Sequence, residues 1–277
     1  MQRLCEYLHL SRGAYYRWLR KPASNSERYN NEISEKIKGI HEAHPDMGYR
    51  RIRDELDKKH DIVVNDKRVL RICRKDRIRS TIRWQPKSCT KNSNDPAHIA
   101  RNYLNRNFHA DAPNEKWLTD VTEFKYYVGN EVHKVYLSAI LDLYDRRIVA
   151  YKIGDRNDNP LVMNTFDEAV AIEPNVHPLF HSDRGFQYTS RQFCTKLRKH
   201  HMKQSMSRVA HCIDNGPMEG FWGILKREMY YGKRFTSKAE LVDSIESYIH
   251  YYNTERIQRK LHLMTPVEYH ENYYAAA

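Results

Sequence analysis

Paired cysteines and long apolar runs are both missing from these 277 residues. The five cysteines stand at positions 5, 73, 89, 194 and 212, an odd number with no C-x-x-C spacing, which argues against a disulfide framework or a zinc ribbon. His41 and His44 with Cys73 and Cys89 offer the ligand types of a zinc module, but the two cysteines are 16 apart, and the four are read as unlinked; His200, His201, His211 and Cys212 are read as incidental. No stretch reaches the roughly 18 apolar residues of a membrane span, and MQRLCEYLHL has no signal-peptide core, so a cytosolic protein is expected. Acidic residues are also in short supply: 35 against 47 Lys and Arg leave a net charge of +12 and a pI near 9.4, which favours a polyanionic partner. What is present in quantity is aromatic residues, at 12%, enough to exclude a disordered chain.

Periodicity divides the chain into five parts. Residues 1–25 read as a short helix, a turn led by Ser11, and a helix with Tyr15, Trp18 and Leu19 on one side and Arg12, Arg17, Arg20 and Lys21 opposite. This is either a partial helix-turn-helix or a basic amphipathic hairpin. The polar stretch PASNSERYNN is expected to be a linker. Within 32–83, Glu32 to His44 is amphipathic through Ile33, Ile37 and Ile40, Gly48 opens a helix to about Lys59, and Asn65 caps another with Val69, Leu70 and Ile72 inward. Between Gly48 and Ser88 stand 14 Lys or Arg against 6 Asp or Glu, so most of the positive surplus falls in this segment. It resembles a helix-turn-helix unit, which lays its second helix in the major groove. Arg50, Arg51, Lys67, Arg68, Arg71 and Arg74 are the candidate DNA contacts; a solvated basic face is the plainer alternative. Residues 84–110 read as a basic linker turning helical near Ile99 to Leu104.

The fourth and largest part, 111–235, alternates as strands over 117–127, 132–143, 148–153, 176–181 and 202–207, with a hairpin turn at Gly129-Asn130. Helices are expected over 159–172, capped by Asn159-Pro160, over 190–200 and over 217–230. The order βββαβαβα is that of the ribonuclease H-like fold, an α/β class. Residues 236–277 form a helical extension, with Leu241, Ile245, Tyr248, Ile249 and Tyr252 on one face of a helix from Ser237 to Asn253, and Thr265-Pro266 capping a last short helix.

Three carboxylates stand out of this frame: Asp120 in NEKWLTDVTEF, Asp183 in PLFHSDRGFQY and Glu219 in SMSRVAHCIDNGPMEGFWGILKRE. Each alone has an ordinary reading, a turn residue for either Asp and a helix-dipole residue for Glu219 one step past Pro217. Their order, the 35 residues between Asp183 and Glu219, the Asp-Asn-Gly before the Glu and Lys226 seven after it together resemble the DDE catalytic core of transposases and retroviral integrases. Asp142, Asp145, Glu123 and Asp155 are competing carboxylates in the same region; Asp142, the serious rival, is assigned a structural or supporting role. The string YIHYYNTERIQRKLHLMTPVEY resembles the end of the catalytic subunit of insertion sequences in the IS-three family, and the resemblance extends over about residues 32 to 270. Ala210-His211 departs from the pattern in the loop before the Glu.

The resemblance implies metal-dependent cleavage of DNA 3′ ends and strand transfer at the terminal inverted repeats of an insertion sequence. Phosphodiester transfer needs an activated attacking oxygen and a neutralised phosphate and leaving group, work that two Mg²⁺ ions, or Mn²⁺ in their place, perform when held by carboxylates. Asp120 is expected to bridge both ions, with Asp183 and Glu219 each binding one. Lys226 is the candidate phosphate or terminal-base contact against an ordinary solvent-facing helix lysine, and Asn215 either touches DNA or orients its loop. Also implied are terminal-repeat and target DNA as partners, a homo-oligomer on DNA, a place in the bacterial nucleoid, and an upstream-frame helix-turn-helix and leucine-zipper product, fused or separate, since no sustained heptad pattern follows Met1. Two other readings are carried: a DNA-binding regulator of transposition with a non-catalytic core, and a metal-dependent nuclease without strand transfer.

Overall fold

The computed structural model describes residues 2–7, 9–82, 99–208 and 212–276, in two units, Met1–Thr81 and Ile82–Ala277. Cys89, most of the 84–110 linker and Ala210-His211 lie outside the described residues.

In the first unit, α1 (Gln2–Tyr7) and α2 (Arg12–Leu19) are joined by Ser11, whose Oγ accepts from the Ala14 N–H; no residue of α2 is buried. The third helix, α3 (Asn25–Ala43), begins at Asn25 rather than Glu32, so the expected linker is largely helix. Its start is a capping box: Ser24 Oγ accepts from Glu27 N and Glu27 Oε2 accepts from Ser24 N. Solvent-facing polar residues fill that first stretch, leaving no apolar period to mark it. Next come α4 (Tyr49–His60) and α5 (Asp66–Lys75), the latter capped as expected by Asn65 Oδ1 on Arg68 N. Asp61 adopts φ +54° and ends α4. Ile33, Ile37, Ile52, Leu56, Val69 and Ile72 close the core of this unit, each contributing about 1.5–3 kcal/mol by its burial.

The second unit is built on a five-stranded sheet in the order β3-β2-β1-β4-β5. The strands β1 (Lys116–Val128), β2 (Glu131–Asp142) and β3 (Ile148–Gly154) run antiparallel; β4 (Leu179–Ser182) and β5 (Lys203–Met206) continue in parallel from β1. Gly129 takes φ +59° at the first position of the two-residue β1–β2 loop, where a tight hairpin requires it. Helices α6 (Asn159–Ile172) and α7 (Arg191–Lys199) cover one face through Phe166, Phe193 and Leu197. On the other face lie α8 (Gly216–Leu225) and α9 (Lys238–Thr254), through Phe221, Trp222, Leu225, Ile245 and Ile249. The element order is the βββαβαβα expected of a ribonuclease H-like core.

Several boundaries differ from expectation. β4 starts at Leu179 rather than Val176 because Asn175 turns the chain at φ +63°. The cap of α6 is Asp158, whose Oδ1 accepts from Leu161 N, rather than Asn159. The expected helix at Ile99 to Leu104 does not form: the N–H groups of Tyr103 and Leu104 both donate to Ser205 Oγ. After α8 the chain widens into a π-helical turn, Lys226–Tyr230, before α9, and α10 (Pro266–Ala276) ends the chain behind a Thr265–Glu268 capping box. Glu228, in the π turn, accepts Arg256 Nη2 and Nε at 2.8 and 3.0 Å and the Tyr248 hydroxyl at 2.8 Å.

Two stability measurements follow from these contacts. Ser205 accepts two N–H bonds and so gives its own proton to His181 Nδ1 at 2.9 Å, leaving Nε2–H for Ser207 Oγ at 3.1 Å. Burial holds His181 neutral, its pKa pushed down to about 4. As pH falls below about 6.5 the unfolded chain takes up this proton and the folded chain does not, so the residue's contribution to stability is lost between about 6.5 and 4. Urea unfolding at several pH values should show wild type losing about 3 kcal/mol more over that window than His181→Gln, at about 1.4 kcal/mol per pH unit. Arg256→Leu strands the buried Glu228 carboxylate and should cost about 3–5 kcal/mol, most of it recovered in the Glu228→Leu/Arg256→Leu double variant.

Candidate active site

Asp120 is placed by strand alternation. Leu118 and Phe124 point to the α8 and α9 face, Trp117 and Thr119 to the other, so Asp120 shares the face of Leu118. Its neighbour across the sheet is set by the parallel β1–β4 ladder. Lys116 pairs with Leu179, Trp117 with Phe180 and Leu118 with His181, a constant offset of 63, and Asp183 follows Asp120 by that same interval. Adjacent strands lie about 4.8 Å apart, so two carboxylates two steps past the last paired residues face each other where β4 ends beside β1. Asp183 Oδ1 accepts from Gly185 N at 2.8 Å, turning the chain away from the sheet. A Cβ at Gly185 would come within 2.9 Å of Gln187 Oε1 and 3.0 Å of Asp183 Oδ1, so a larger residue there would displace the ends of those two side chains.

Helix α8 supplies the third group. Glu219 stands exposed in its first turn, and Trp222, one turn on, donates its indole N–H to Asp120 Oδ2 at 3.0 Å. The other oxygen of Asp120 accepts from Val121 N at 2.8 Å. Burial, then the charge of Asp183 and more weakly that of Glu219, lift the Asp120 carboxyl to about 7 against the pull of those two hydrogen bonds. Burial also raises Asp183 and Glu219. The three carboxylates of the sequence pattern therefore belong to one electrostatic neighbourhood. Lys226 joins it: its ammonium lies 5.2 Å from the Phe124 ring centre, and burial lowers its pKa while Asp120 and Glu123 oppose the shift.

The donor set is all carboxylate oxygen, the chemistry of a hard divalent cation, and crowded anionic charge is what such a cation relieves. Among the described residues no three His, Cys, Asp or Glu side chains are already placed to hold an ion. Glu219, on the solvent side, is the member that stands farthest out.

Asn215 turns inward. It is 4% exposed and its Nδ2 donates to Thr119 O, next to Asp120, a contact that orients its loop. Asp142 is fully buried and binds the Asn114 and Tyr144 N–H groups at 2.6 and 2.7 Å, a structural carboxylate at the β2–β3 turn. In the first unit Lys67, Arg71 and Arg74 lie exposed along one face of α5, and Arg50 is exposed on α4 beside the Tyr49 ring. Two candidates are engaged internally: Arg51 pairs with Asp46 at 2.9 Å, and Arg68 bonds Asn30 Oδ1 and covers the Tyr29 ring.

Sequence reading missed two parts of the site. Trp222 was legible only as an apolar anchor, although its place three after Glu219 puts it on the same helical face. A network around Asp214 had no signal at all: its buried carboxylate accepts from Asn102, Arg106 and Arg208, partners up to 112 residues away.

Comparison with known proteins is consistent across both units. Two models described as integrase core domain match residues 110–212 and 219–273, and one described as HTH-like domain matches 28–85. The chain is 35% identical to the putative transposase InsK for insertion sequence element IS150 of Escherichia coli, over 99% of this chain and 94% of that one. It is 32% identical to an insertion element IS600 31 kDa protein of Shigella sonnei, over 99% and 100%. The HTLV-2 integrase catalytic core domain in complex with magnesium superposes with a TM-score of 0.44 at 19% identity, covering 58% of this chain and 99% of that one. Aligned with such relatives over nearly their whole length, the chain belongs to the insertion-sequence transposases, enzymes of the DDE transposase and integrase class.

Proposed function

We propose that Asp120, Asp183 and Glu219 carry metal-dependent cleavage of DNA 3′ ends and their transfer to a new strand, at the terminal inverted repeats of an insertion sequence. The observation that carries this reading is the shared 63-residue offset that sets Asp120 beside Asp183, with the Glu219 helix tied to Asp120 through Trp222. Mg²⁺, or Mn²⁺ in its place, would be held by Asp120, Asp183 and Glu219, two ions per site. When bound, such ions neutralise the phosphate and activate the attacking oxygen.

The chain's own residues do the positioning. Asp120 and Asp183 are fixed by the sheet, and Trp222 presets the distance between β1 and α8, so closure of the site is left to the exposed Glu219 side chain. Lys226, partly desolvated and within the field of Asp120, would meet a phosphate oxygen of the scissile strand. Lys67, Arg71 and Arg74 on α5, with Arg50, supply the helix-turn-helix contacts to double-stranded DNA. Bringing two element ends together with a target requires at least a dimer, and an upstream-frame helix-turn-helix and leucine-zipper product, fused or separate, is the proposed further partner. No helix of the described residues is long and apolar enough to cross a membrane, in keeping with work on nucleoid DNA.

Labelled oligonucleotides bearing the element's ends, incubated with Mg²⁺ or Mn²⁺, test the chemistry. Wild type should give joined products, and Asp120→Asn, Asp183→Asn and Glu219→Gln should reduce them to background while still binding DNA. Binding without cleavage or joining, even as the upstream-frame fusion, would favour a regulator; cleavage without joining would favour a nuclease. Trp222→Phe keeps the ring and deletes the N–H. Loss of that support for a metal-binding carboxylate should lower the joining rate about 10–100-fold and raise the Mg²⁺ concentration needed for half-maximal rate.

A further inference from the structure

We infer that Arg106 and Arg208, held by the buried carboxylate of Asp214, form a preorganised seat for one backbone phosphate of the DNA beside the triad. The ligand class rests on the transposase reading; the seat itself rests on geometry. Asp214 is fully buried, and every oxygen is committed. Oδ1 accepts from Arg106 Nε at 2.7 Å and Arg208 Nη2 at 2.9 Å; Oδ2 accepts from Asn102 Nδ2 at 3.0 Å, Arg208 Nε at 2.9 Å and Arg208 N at 3.1 Å. One guanidinium would neutralise this carboxylate, so the second leaves a surplus positive charge. The two arginine side chains are 42% and 44% exposed, and among the described residues both Nη groups of Arg106 and Nη1 of Arg208 meet no acceptor. Two planar forks are thus fixed at their inner edges with their outer donors open to solvent, the arrangement that suits the oxygens of a phosphodiester.

The position of the seat is set by its neighbours. Asp214 precedes Asn215, whose amide donates to Thr119 O beside Asp120, and lies five residues before Glu219. Arg208 follows Ser207, whose N–H donates to the Ser182 carbonyl beside Asp183. The residues that flank Asp214 and Arg208 in the chain, Asn215 and Ser207, therefore each touch the backbone next to an aspartate of the triad. Because Asp214 has already immobilised both side chains, a phosphate landing there would not have to order them, which favours its binding.

The salt dependence of DNA binding by the full chain separates this role from a purely structural one. Fluorescence anisotropy with chelator present, so that no cleavage occurs, would use one duplex carrying the element's terminal repeat and an unrelated duplex of equal length. Arg106→Gln and Arg208→Gln should each lower the slope of log Kd against log salt concentration by about 0.9, and the double variant should lower it no further, because one phosphate is lost in every case. Each single variant leaves Asp214 a guanidinium partner and should melt as a folded protein. Asp214→Asn raises the net charge yet should also lower the slope, since the forks are no longer held; a rise would show bulk charge at work and overturn the seat. Loss on the terminal-repeat duplex alone assigns the phosphate to the donor end, and loss on both assigns it to any bound duplex. Unchanged slopes on both, or a wild-type chain that binds neither, would overturn the inference. Joining activity with unchanged slopes would sink the seat and spare the transposase reading, while lowered slopes in a chain that never joins ends would do the reverse.

Discussion

The repulsion between Asp120 and Asp183 is the constraint around which the catalytic unit is arranged. Burial and then the charge of Asp183 raise the proton affinity of Asp120, burial raises that of Asp183, and no compact chain keeps such a pair unless the surrounding contacts hold it there. The parallel ladder between β1 and β4 does so with backbone hydrogen bonds, which are indifferent to the side-chain charges above them. Hydrogen bonds from Val121 N and Trp222 Nε1 offset part of the cost, and the Gly185 N–H does the same for Asp183. The apolar layers on both faces of the sheet then supply the stability against which this local strain is borne.

The third carboxylate is held differently. Glu219 rides on a helix, and what positions a helix is its buried face and its far end. Here the buried face is Met218, Phe221, Trp222 and Leu225, and the far end widens into the π turn whose Glu228 is locked by Arg256 and Tyr248. The C-terminal extension is thus a brace for the proposed active site: α9 grips the end of the helix that carries Glu219. A further tie, His270 to Asp145, joins α10 to the β2–β3 turn.

Much of this was legible in the sequence because it follows from short-range rules. Strand alternation around Asp120, the Gly129 hairpin, the Asn65 cap and the apolar stripe of α9 are local patterns, and each appears where its pattern placed it. The triad itself was legible only through resemblance, since no local rule says that Asp120 and Asp183 occupy matching places on neighbouring strands. What failed to show had physical reasons. Residues 25–31 are helical by virtue of a capping box on a mostly polar, exposed surface, and Ile99 to Leu104 is non-helical because Ser205 takes the N–H groups of Tyr103 and Leu104. The inward turn of Asn215, the pairing of Arg51 with Asp46, and the Asp214 clamp all depend on which distant residue arrives within hydrogen-bond distance, information that a linear pattern does not hold.

A site set by strand pairing is indifferent to the amount of chain looped between its strands. The whole of β2, β3 and α6 lies between Asp120 and Asp183, yet none of it fixes their separation. The exposed Gly129-Asn130 tip is accordingly a natural point for grafting a tag, a sensor or an entire domain into the enzyme, because length added there never reaches the ladder. One residue inserted between Leu118 and Asp120 would do the opposite: it would rotate Asp120 onto the Trp117 face and separate the pair, with the composition of the protein almost unchanged.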